Sequence, residues 1–533
     1  MERARADAKG RFPAGVLDWP PLLRAMRLSS ALPLLFAGAA AAQTLEVFVP
    51  PENPLSPAKI VLGKILFWEE QLSQDDSVAC GTCHQPEVGG VDPRDALHPG
   101  PDGAFGTGDD IHGSMGVPRM APDGSPRPSP WFGTGPQVTN RAANSAIGAA
   151  WHAELFWDGR AGLVFHDPET GEVAIRFGGA LENQAVWPIL NEIGMSAPGR
   201  TWDDVRKKLE GATPLALATD LPPDVALTLE QSPTYPELFR RAFGDGRITA
   251  RRIAFAIASY ERTLIPDRTP YDLWAAGDRT AMTPEQQLGL EKFLGIGRCM
   301  KCHAPPLFTD DFYHTLGLRP WQEDPGRMKA SGIEAERGAF KSPSLRNAGL
   351  RPRLFHDGSL AALGSVAVDD PRSAMNFYFK GGGTARNHAD NLDPYIIDLS
   401  ANGAKIEDMR LIEEFVRTAL TDRRVAGALP PFDHPTLRSA RICEPPSARP
   451  GSTRFSPPVA IGVPGILFVS RLREPSLPFG RDSSPWIAGA VGSSASAVSF
   501  AIPKVMDVAD SALLFGCAAM EGRGARTLAV TIR

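Results

Sequence analysis

The sequence predicts a mainly α-helical protein built around two copies of one short string. Residues 80–84 read CGTCH, and residues 299–303 read CMKCH. Helix-start signals and amphipathic runs flank both strings, whereas only Glu172–Phe177, in a glycine-bounded stretch, suggests a small hairpin. With 533 residues, the chain is long enough for two or three domains, each with its own buried core.

The first half of the chain carries three helix signals. Ser56 followed by Pro57 is the pattern of an N-cap and a first helical residue, and Thr201 stands before a helical run in the same way. Ala250–Leu264 (ARRIAFAIASYERTL) is amphipathic. We therefore expect a mostly helical N-terminal domain at 43–270.

The second half repeats this organisation around the second string. Thr283 and Gln286 form a capping-box signature that opens a helix directly before it. Glu407–Leu420 is predicted to close the region as one long helix. These signals predict a second helical domain at 271–432.

Two regions lack clear periodicity. Residues 97–138 are dense in glycine, proline, aspartate and serine, which predicts a long loop insertion, either a flexible surface segment or a lid. The tail at 433–533 begins rich in proline, serine and alanine, and we expect little fixed structure there. Cys443 and Cys517 in this tail form either a disulfide or two free thiols.

The segment at 1–42 contains an export signal. Met26 and Arg27 open a positive region, an apolar stretch runs through Ala31–Ala42, and small residues precede Gln43. We expect a signal peptide from about Met26 to Ala42, translation beginning at Met26, and a periplasmic location. The apolar stretch is too short to predict a stable membrane span.

The charge balance excludes one class of partner. The formal net charge is -5, and the lysines and arginines form no basic cluster. Because binding to a phosphate backbone needs concentrated positive charge, we expect no nucleic-acid partner.

The two strings have the form of covalent c-type haem attachment, in which two cysteine sulfurs bond the porphyrin edge and the histidine ligates iron. The attachment residues are Cys80, Cys83, Cys299 and Cys302. The proximal ligands are His84 and His303. A zinc site would need the two strings closer together, and a thioredoxin-like pair would need no adjacent histidine and a βαβ context.

Several further segments resemble one family. They are 63–73 (GKILFWEEQLS), 156–160 (FWDGR), 184–188 (QAVWP), 340–347 (FKSPSLRN) and 355–359 (FHDGS). In this order they resemble the bacterial di-haem cytochrome c peroxidases, the family that includes the tryptophan-modifying enzyme MauG. The resemblance covers roughly residues 55–425 and implies two cytochrome c-like domains whose covalently bound haems face each other.

The resemblance also implies a division of labour between the haems. Hydrogen peroxide would react at the N-terminal haem, with His84 as its proximal ligand, and the C-terminal haem on His303 would handle electrons. Trp157 matches the family's tryptophan between the haems, where an aromatic ring can relay an electron. The alternative is a buried aromatic residue that serves packing alone.

Peroxide cleavage requires a group that moves a proton from one oxygen to the other, a task suited to a carboxylate near the iron. The family's glutamate position falls on Gly194 when counted without gaps. Glu192 fits if the loop is two residues shorter, so we predict Glu192 as the acid–base group, against a solvated loop carboxylate. Gln184 is the second residue predicted for the distal pocket.

The resemblance also bears on the sixth ligand of the N-terminal iron. Thr134 stands where many members of the family carry a blocking histidine, and His98 or His112 could replace that ligand only after a rearrangement. We therefore expect an open, five-coordinate N-terminal haem.

At the C-terminal haem, residues 376–382 (NFYFKGG) resemble the tyrosine-bearing segment of the MauG branch, which predicts Tyr378 as distal ligand. Met375 and a purely packed Tyr378 are the alternatives. Phenolate ligation would lower the potential of this haem relative to methionine ligation.

A calcium ion between the domains is usual in the family. Its asparagine position falls on Ala142, with Asn140 and Asn144 as neighbours, and the carbonyl donors would be Arg351 and Arg353. Calcium is therefore one option for this chain. The histidines without ligand-like spacing are expected to be surface or hydrogen-bonded residues; they are His152, His166, His314, His388 and His434.

These inferences favour an exported di-haem peroxidase-type oxidoreductase. Its partners would be hydrogen peroxide and a small periplasmic electron donor, either a cytochrome c or a copper protein. Two alternatives stay open: MauG-like oxidation of a side chain on a protein substrate, and a non-enzymatic electron carrier with two six-coordinate haems.

Overall fold

The computed structural model describes residues 46–386, 388, 390–442, 459–463 and 466–470. Short helices dominate this part of the chain. The helices are α1 (Pro57–Phe67), α2 (Cys80–Cys83), α3 (Ala180–Val186), α4 (Trp202–Gly211), α5 (Pro223–Gln231), α6 (Tyr235–Phe243), α7 (Ala250–Glu261), α8 (Pro270–Ala275), α9 (Pro284–Leu294), α10 (Met328–Ser331), α11 (Ala374–Phe379), α12 (Ile406–Glu414), α13 (Arg423–Ala426) and α14 (Arg438–Ile442). The predicted mainly helical class is confirmed. The predicted signal peptide, Cys443 and Cys517 lie outside the described residues.

The predicted helix starts at three N-caps are confirmed. The Ser56 side chain accepts a hydrogen bond from the backbone N–H of Lys59 and opens α1. Thr201 opens α4 and Thr283 opens α9, each through a capping box with the residue three positions on. Each cap satisfies a backbone donor that the first turn of a helix leaves free.

The helix predicted at Glu407–Leu420 changes type along its length. It is α-helical over Ile406–Glu414 and continues as a π-helix over Phe415–Ala419. The Thr418 hydroxyl donates to the Glu414 carbonyl oxygen over 2.7 Å at this point, a side-chain contact of the kind that often bends a helix.

The strands are short and form two-stranded antiparallel pairs. The pairs are β1 (Ala96–His98) with β2 (Ile111–Gly113), β3 (Met115–Pro118) with β4 (Pro136–Val138), β5 (Phe165–His166) with β6 (Val173–Ile175), β7 (Tyr313–Thr315) with β8 (Ala339–Lys341), β9 (Arg353–Leu354) with β10 (Leu360–Ala361), and β11 (Val459–Val463) with β12 (Ile466–Ser470). The predicted hairpin near residue 172 is the β5–β6 pair.

The loop predicted at 97–138 is more ordered than its composition indicates. The short β1–β2 and β3–β4 pairs form at its beginning, middle and end, and the choice between a flexible surface segment and a lid stays a prediction. Strands of three or four residues are too short to show the apolar alternation by which a strand is recognised in sequence.

Apolar side chains form two large buried clusters. The first is built on α1 and α7. These helices can approach closely because Gly63 has no Cβ, which would overlap the Ala256 carbonyl oxygen. The second is built on α9, α11 and α12. The chain returns to the first cluster after Leu420, because Val425, Phe432 and Leu437 are buried in it. The chain therefore keeps a packed, regular structure beyond residue 432, at least through α14.

No helix in the described part of the chain combines the length and the apolar composition needed to cross a bilayer.

Candidate active site

The first string forms a turn that presents its histidine to one side. Cys80–Cys83 is the single turn α2, and His84 follows it in a non-helical conformation. His84 Nδ1 lies 3.1 Å from the carbonyl oxygen of Gly90. A carbonyl oxygen only accepts, so Nδ1 donates and Nε2 is left as the ligand atom. Burial lowers the pKa of His84, which keeps the imidazole neutral as metal ligation requires.

The second string has the same arrangement. Cys299–Lys301 is a single 3-10 turn, and His303 Nδ1 lies 3.1 Å from the Phe308 carbonyl oxygen. Burial lowers the pKa of His303 to about 4. The two strings therefore hold their histidines in the same tautomer by the same kind of backbone contact.

The sulfurs of Cys80, Cys83 and Cys299 are in environments that favour an uncharged state. Burial raises the pKa of the Cys83 thiol to about 12 and that of the Cys299 thiol to about 12, and it raises the pKa of Cys80 further. A zinc site needs thiolates, whereas a thioether carries no charge. The sulfur environment therefore fits covalent attachment better than metal ligation.

A cavity of about 730 Å³ lies beside the second string. Its walls come from both halves of the sequence. Residues that bear on its chemistry are Arg94, Trp157, Cys299, Cys302, His303, Arg351, His356, Met375 and Tyr378. The size is that of a pocket for a cofactor-sized ligand.

Unpaired polar atoms in the cavity wall test whether a haem fits. The Nε atoms of Arg298 and Arg351 and the Nε2 atom of His356 are buried without a hydrogen-bond partner. Burial lowers the pKa of Arg351 to about 10, the sign of a cation that lacks an anion. The carboxylates of a porphyrin would supply the missing negative charge, so the residues present fit the group.

Trp157 is the predicted site residue whose surroundings are best defined. Its indole Nε1 donates to the carbonyl oxygen of Ala142 over 2.9 Å, and its ring lines the cavity. Ala146, four residues further on, donates its backbone N–H over 3.1 Å to the carbonyl oxygen of Gly90, which also accepts from His84 Nδ1. The segment 142–146 therefore connects the Trp157 ring to the histidine of the first string.

Tyr378 and Met375 both lie on α11 and both line the cavity of the second string. Burial raises the pKa of the Tyr378 hydroxyl, and the neighbouring Cys302 and Cys299 sulfurs raise it further. A phenolate at this position would therefore require a compensating cation such as iron. The placement is compatible with either residue as a ligand.

The two residues predicted for the distal side of the first haem lie on different elements. Glu192 is exposed on the turn after Pro188–Leu190, and Gln184 is half-buried on α3. Two hydrogen bonds fix the Glu192 turn: its carbonyl oxygen accepts from Gln137 Nε2 over 2.8 Å, and the Ile193 carbonyl oxygen accepts from the Val117 N–H over 3.2 Å. The acid–base role of Glu192 stays a prediction.

The residues considered for the sixth ligand position have contacts of their own, and His112 lines the cavity of the second string. Thr134 is exposed, His98 packs against the rings of Trp131 and Phe132, and His112 Nδ1 bonds Asp95 over 2.6 Å. The open coordination position expected at the N-terminal iron remains a prediction.

The residues expected around a calcium ion have other contacts in this structure. The Ala142 carbonyl oxygen takes the Trp157 hydrogen bond, Asn140 is exposed, and the Arg353 side chain pairs with Asp95 over 2.9 Å. Asn144 lines the cavity. Calcium binding stays a prediction.

Sequence reasoning missed three residues of the site. Arg94 pairs with Asp92 and places Nη2 3.1 Å from Cys83 Sγ. His356 lines the cavity, although its FHDGS segment was singled out only as part of a resemblance. Glu261 is 3% exposed, with Oε2 lacking a hydrogen-bond partner, and it lies close enough to Cys80 to raise the pKa of that thiol. The sequence signal for Glu261 was a single acidic residue in the amphipathic run ARRIAFAIASYERTL.

Two Cys-x-x-Cys-His turns with oriented histidines, set in a helical fold, define a c-type cytochrome with two haem sites. The family model described as di-haem cytochrome c peroxidase matches residues 57–280. The chain is 31% identical over 335 residues to the methylamine utilization protein MauG of Methylorubrum extorquens, covering 62% of this chain and 72% of the relative. The chain belongs to the di-haem cytochrome c peroxidase and MauG family.

One further relative and one solved structure are also similar to this chain. A cytochrome c551 peroxidase of Nitrosomonas europaea is 28% identical over 365 residues, covering 66% of this chain and 85% of the relative. The solved structure of a MauG-like protein associated with microbial copper homeostasis aligns with a TM-score of 0.50 at 21% identity, covering 72% of this chain and 95% of that one. The chain is a di-haem peroxidase-type oxidoreductase, and its cofactors are two covalently bound c-type haems.

Proposed function

We propose that this oxidoreductase reacts with hydrogen peroxide at the haem held by His84 and exchanges electrons through Trp157 and the haem held by His303. When bound, the porphyrin irons supply the redox chemistry. The chain itself attaches and orients them, excludes water around them and controls protons at the reacting end. Export to the periplasm belongs to this proposal and rests on the apolar segment at 26–42.

The observation that carries the proposed electron path is the position of Trp157. Its ring lines the cavity of the second string, while its Nε1 hydrogen bond holds the segment 142–146, whose Ala146 N–H donates to the Gly90 carbonyl oxygen beside His84. An aromatic ring held at the wall of one cofactor site, and joined to the other by a short segment, is suited to pass one electron without a large change of geometry.

The proposed proton transfer uses Glu192 with Gln184. Strand β3 connects the Glu192 turn to the first string, because the Met115 carbonyl oxygen lies 3.8 Å from Cys83 Sγ and the Val117 N–H bonds the turn. An exposed carboxylate on a turn fixed in this way can take a proton from one peroxide oxygen and return it to the other. Gln184 would donate a hydrogen bond to the bound peroxide.

A second candidate function is oxidation of a side chain on a protein substrate. Tyr378 in the cavity of the second string favours it, because a phenolate ligand would lower the potential of that haem and favour storage of oxidising equivalents. The relatedness to a protein named MauG points the same way. In the first candidate function, the electron donor would be a small cytochrome c or copper protein.

One spectroscopic experiment tests the proposal. The electron paramagnetic resonance spectrum of the oxidised protein is expected to contain one high-spin signal from an accessible iron and one low-spin signal. Addition of cyanide should convert the high-spin signal alone. A wholly low-spin spectrum that does not change with cyanide or peroxide would identify an electron carrier and overturn the proposal.

Steady-state peroxide consumption with a reduced small cytochrome tests the proton step. Glu192→Gln is expected to lose about two orders of magnitude or more in turnover, the usual contribution of a positioned acid–base group. Glu210→Gln, which alters an exposed carboxylate on α4, is the matched control and should turn over normally. Unchanged turnover of Glu192→Gln would remove Glu192 from the reaction.

A further inference from the structure

A chain of contacting rings leads away from the first haem string on its proximal side. The ring centroids of His84 and Phe67 are 6.3 Å apart, and Phe67 contacts both Trp68, at 5.8 Å, and Tyr260, at 5.4 Å. The Trp68 indole Nε1 donates to the Tyr260 hydroxyl over 3.3 Å. These spacings are those of aromatic rings in van der Waals contact.

Trp68 touches the haem attachment turn itself. A Cβ on Gly81 would overlap the indole ring, so only glycine at this position of the turn lets Trp68 lie against the backbone between Cys80 and Cys83. Trp68 is 1% exposed. The indole is therefore held without solvent beside the point where the porphyrin would be bonded to the chain.

The other end of this chain of rings reaches the surface. His434 stacks on Trp68 with centroids 4.1 Å apart and ring planes inclined by 8°. His434 Nε2 lies 3.0 Å from Glu87 Oε1, and 44% of the Glu87 side chain is exposed. The stack with His434 therefore connects a fully buried indole to a solvent-exposed carboxylate.

The carboxylates near the indole favour a positive species. Lys64 Nζ is paired with both Asp433, at 3.0 Å, and Asp224, at 3.1 Å, so one cation faces two carboxylates. Burial raises the pKa of the Tyr260 hydroxyl and these two carboxylates raise it further, so their charge acts on the group that accepts the indole N–H. The Glu87 carboxylate balances the charge of a protonated His434. A net negative potential at a buried ring stabilises that ring when it carries a positive charge.

We propose that Trp68 is a second electron-transfer site, which gives one electron to the oxidised N-terminal haem site when no external donor is bound. This inference rests on the proposed reaction of peroxide at His84. The indole loses one electron and the haem site gains it, while the Nε1 proton stays in its hydrogen bond to Tyr260. A one-electron reductant in solution then returns the electron at the His434 end and restores the indole. The pathway protects the haem from the excess oxidising equivalents that hydrogen peroxide supplies.

The test uses the full di-haem protein mixed with hydrogen peroxide without a donor and frozen for electron paramagnetic resonance. A tryptophan radical is expected, identified by the narrowing of its signal when the indole rings are deuterated. The signal should be lost in Trp68→Phe and retained in Trp202→Phe, a matched control at the start of α4 that packs on the same cluster. A radical signal that is absent, or that persists in Trp68→Phe, would overturn the inference.

Two further measurements keep the test decisive if Trp68→Phe does not fold. In Tyr260→Phe the ring stays but the acceptor of the indole N–H is lost, so the tryptophan signal should remain with altered hyperfine splitting. In the unaltered protein, repeated peroxide addition should place oxygen on Trp68, located by peptide mass spectrometry. Unchanged splitting together with an unmodified Trp68 peptide would reject the site.

Haem absorbance recorded on the same samples separates the two possible failures. If the haem bands respond to peroxide and no Trp68 radical forms, only the second electron-transfer site is wrong. If the haem bands do not respond at all, both the proposed function and this inference are wrong.

Discussion

The imidazole of His356 lies flat against the ring of Phe340, with centroids 3.6 Å apart and planes inclined by 11°. His356 is 6% exposed, and its ring stands edge-to-face with Trp157 at 6.2 Å. The FKSPSLRN and FHDGS segments thus meet the FWDGR segment through these three rings. Stacking and edge contacts of this kind restrict the orientation of each ring. The position of Trp157 at the cavity is therefore fixed by packing as well as by its hydrogen bond to Ala142.

Replacement of Trp157 tests the relay. Trp157→Phe keeps an aromatic ring but removes the Nε1 donor to the Ala142 carbonyl oxygen. We expect electron exchange between the haems after peroxide addition to slow by more than about tenfold. A tenfold slower rate corresponds to an activation free energy raised by about 1.4 kcal/mol. Rapid mixing of the reduced protein with peroxide measures this rate. The lost hydrogen bond should lower the free energy of unfolding by only about 1 kcal/mol.

Trp187→Phe is the matched control for the relay. Trp187 is 49% exposed and stands edge-to-face with Phe156, the residue before Trp157. Its replacement should leave the electron exchange rate unchanged. Equal rates in Trp157→Phe and the parent would make Trp157 a packing residue, the alternative that the sequence left open.

Tyr378→Phe tests the distal ligand of the second haem. The cavity keeps its aromatic lining, but the only oxygen of the side chain is removed. If that oxygen ligates iron, we expect a new high-spin signal and a more positive reduction potential, because an anionic ligand that stabilises the oxidised iron has been lost. Potentiometric titration followed by electron paramagnetic resonance measures both.

Tyr395→Phe is the control for the ligand test, since Tyr395 lines the same cavity but is 46% exposed. It should change neither the spin state nor the potential. If Tyr378→Phe behaves like this control while Met375→Leu produces the new signal, Met375 is the ligand.

Arg351→Met tests the fit of a porphyrin carboxylate in the cavity. The guanidinium of Arg351 is buried with an unpaired Nε, so in the haem-loaded protein it is expected to neutralise a carboxylate. Removing one partner of a buried pair costs about 3–5 kcal/mol. Denaturant unfolding of the haem-loaded protein should show a loss of this size.

The control for the cavity cation is Arg410→Gln, in which exposed pairs with Glu285 and Glu407, away from the cavity, are removed. An exposed pair contributes about 0–1 kcal/mol. Similar losses in the two variants would show that the Arg351 charge faces no anion in the loaded protein.

The sequence was sufficient for those parts of the fold and site that local patterns encode. The strings at 80–84 and 299–303 and the caps at Ser56, Thr201 and Thr283 each depend on neighbours within four residues. The short β1–β4 strands could not be predicted, because three residues show no period. The π-helical turn at Phe415–Ala419 was missed because apolar periodicity does not separate one π-helical turn from an α-helical one.

The residues that complete the cavity could not be predicted for a different reason. Arg94 is far in sequence from Arg351 and His356, and it joins them only after folding. An arginine is normally predicted to lie on the surface, and only the unpaired Nε atom of Arg351 in a buried wall shows that it faces a ligand. The same argument applies to Trp68, whose partner His434 lies in the part of the sequence where little structure was expected.

Glu261 predicts how the stability of the protein depends on pH. Burial raises the pKa of this carboxyl from 4.5 to about 8; Arg262 opposes the rise and Glu182 adds to it. At a pH between these two values, the Glu261 carboxyl is therefore protonated in the folded protein and ionised in the unfolded chain. Stability from this group is fully present below the unfolded pKa and is lost as pH rises through the folded value, by about 1.4 kcal/mol per pH unit.

Glu261→Gln removes this titration while keeping the shape of the side chain. The free energy of unfolding of the parent should fall between about pH 5 and pH 8 by this slope, and the slope should be absent in Glu261→Gln. Guanidinium unfolding at several pH values in this window, followed by haem absorbance, measures both. Glu210→Gln should reproduce the parent's slope, because that carboxylate on α4 is exposed. A parent-like slope in Glu261→Gln would mean that the buried carboxyl is already ionised in the folded protein, with the Arg262 charge outweighing the cost of burial.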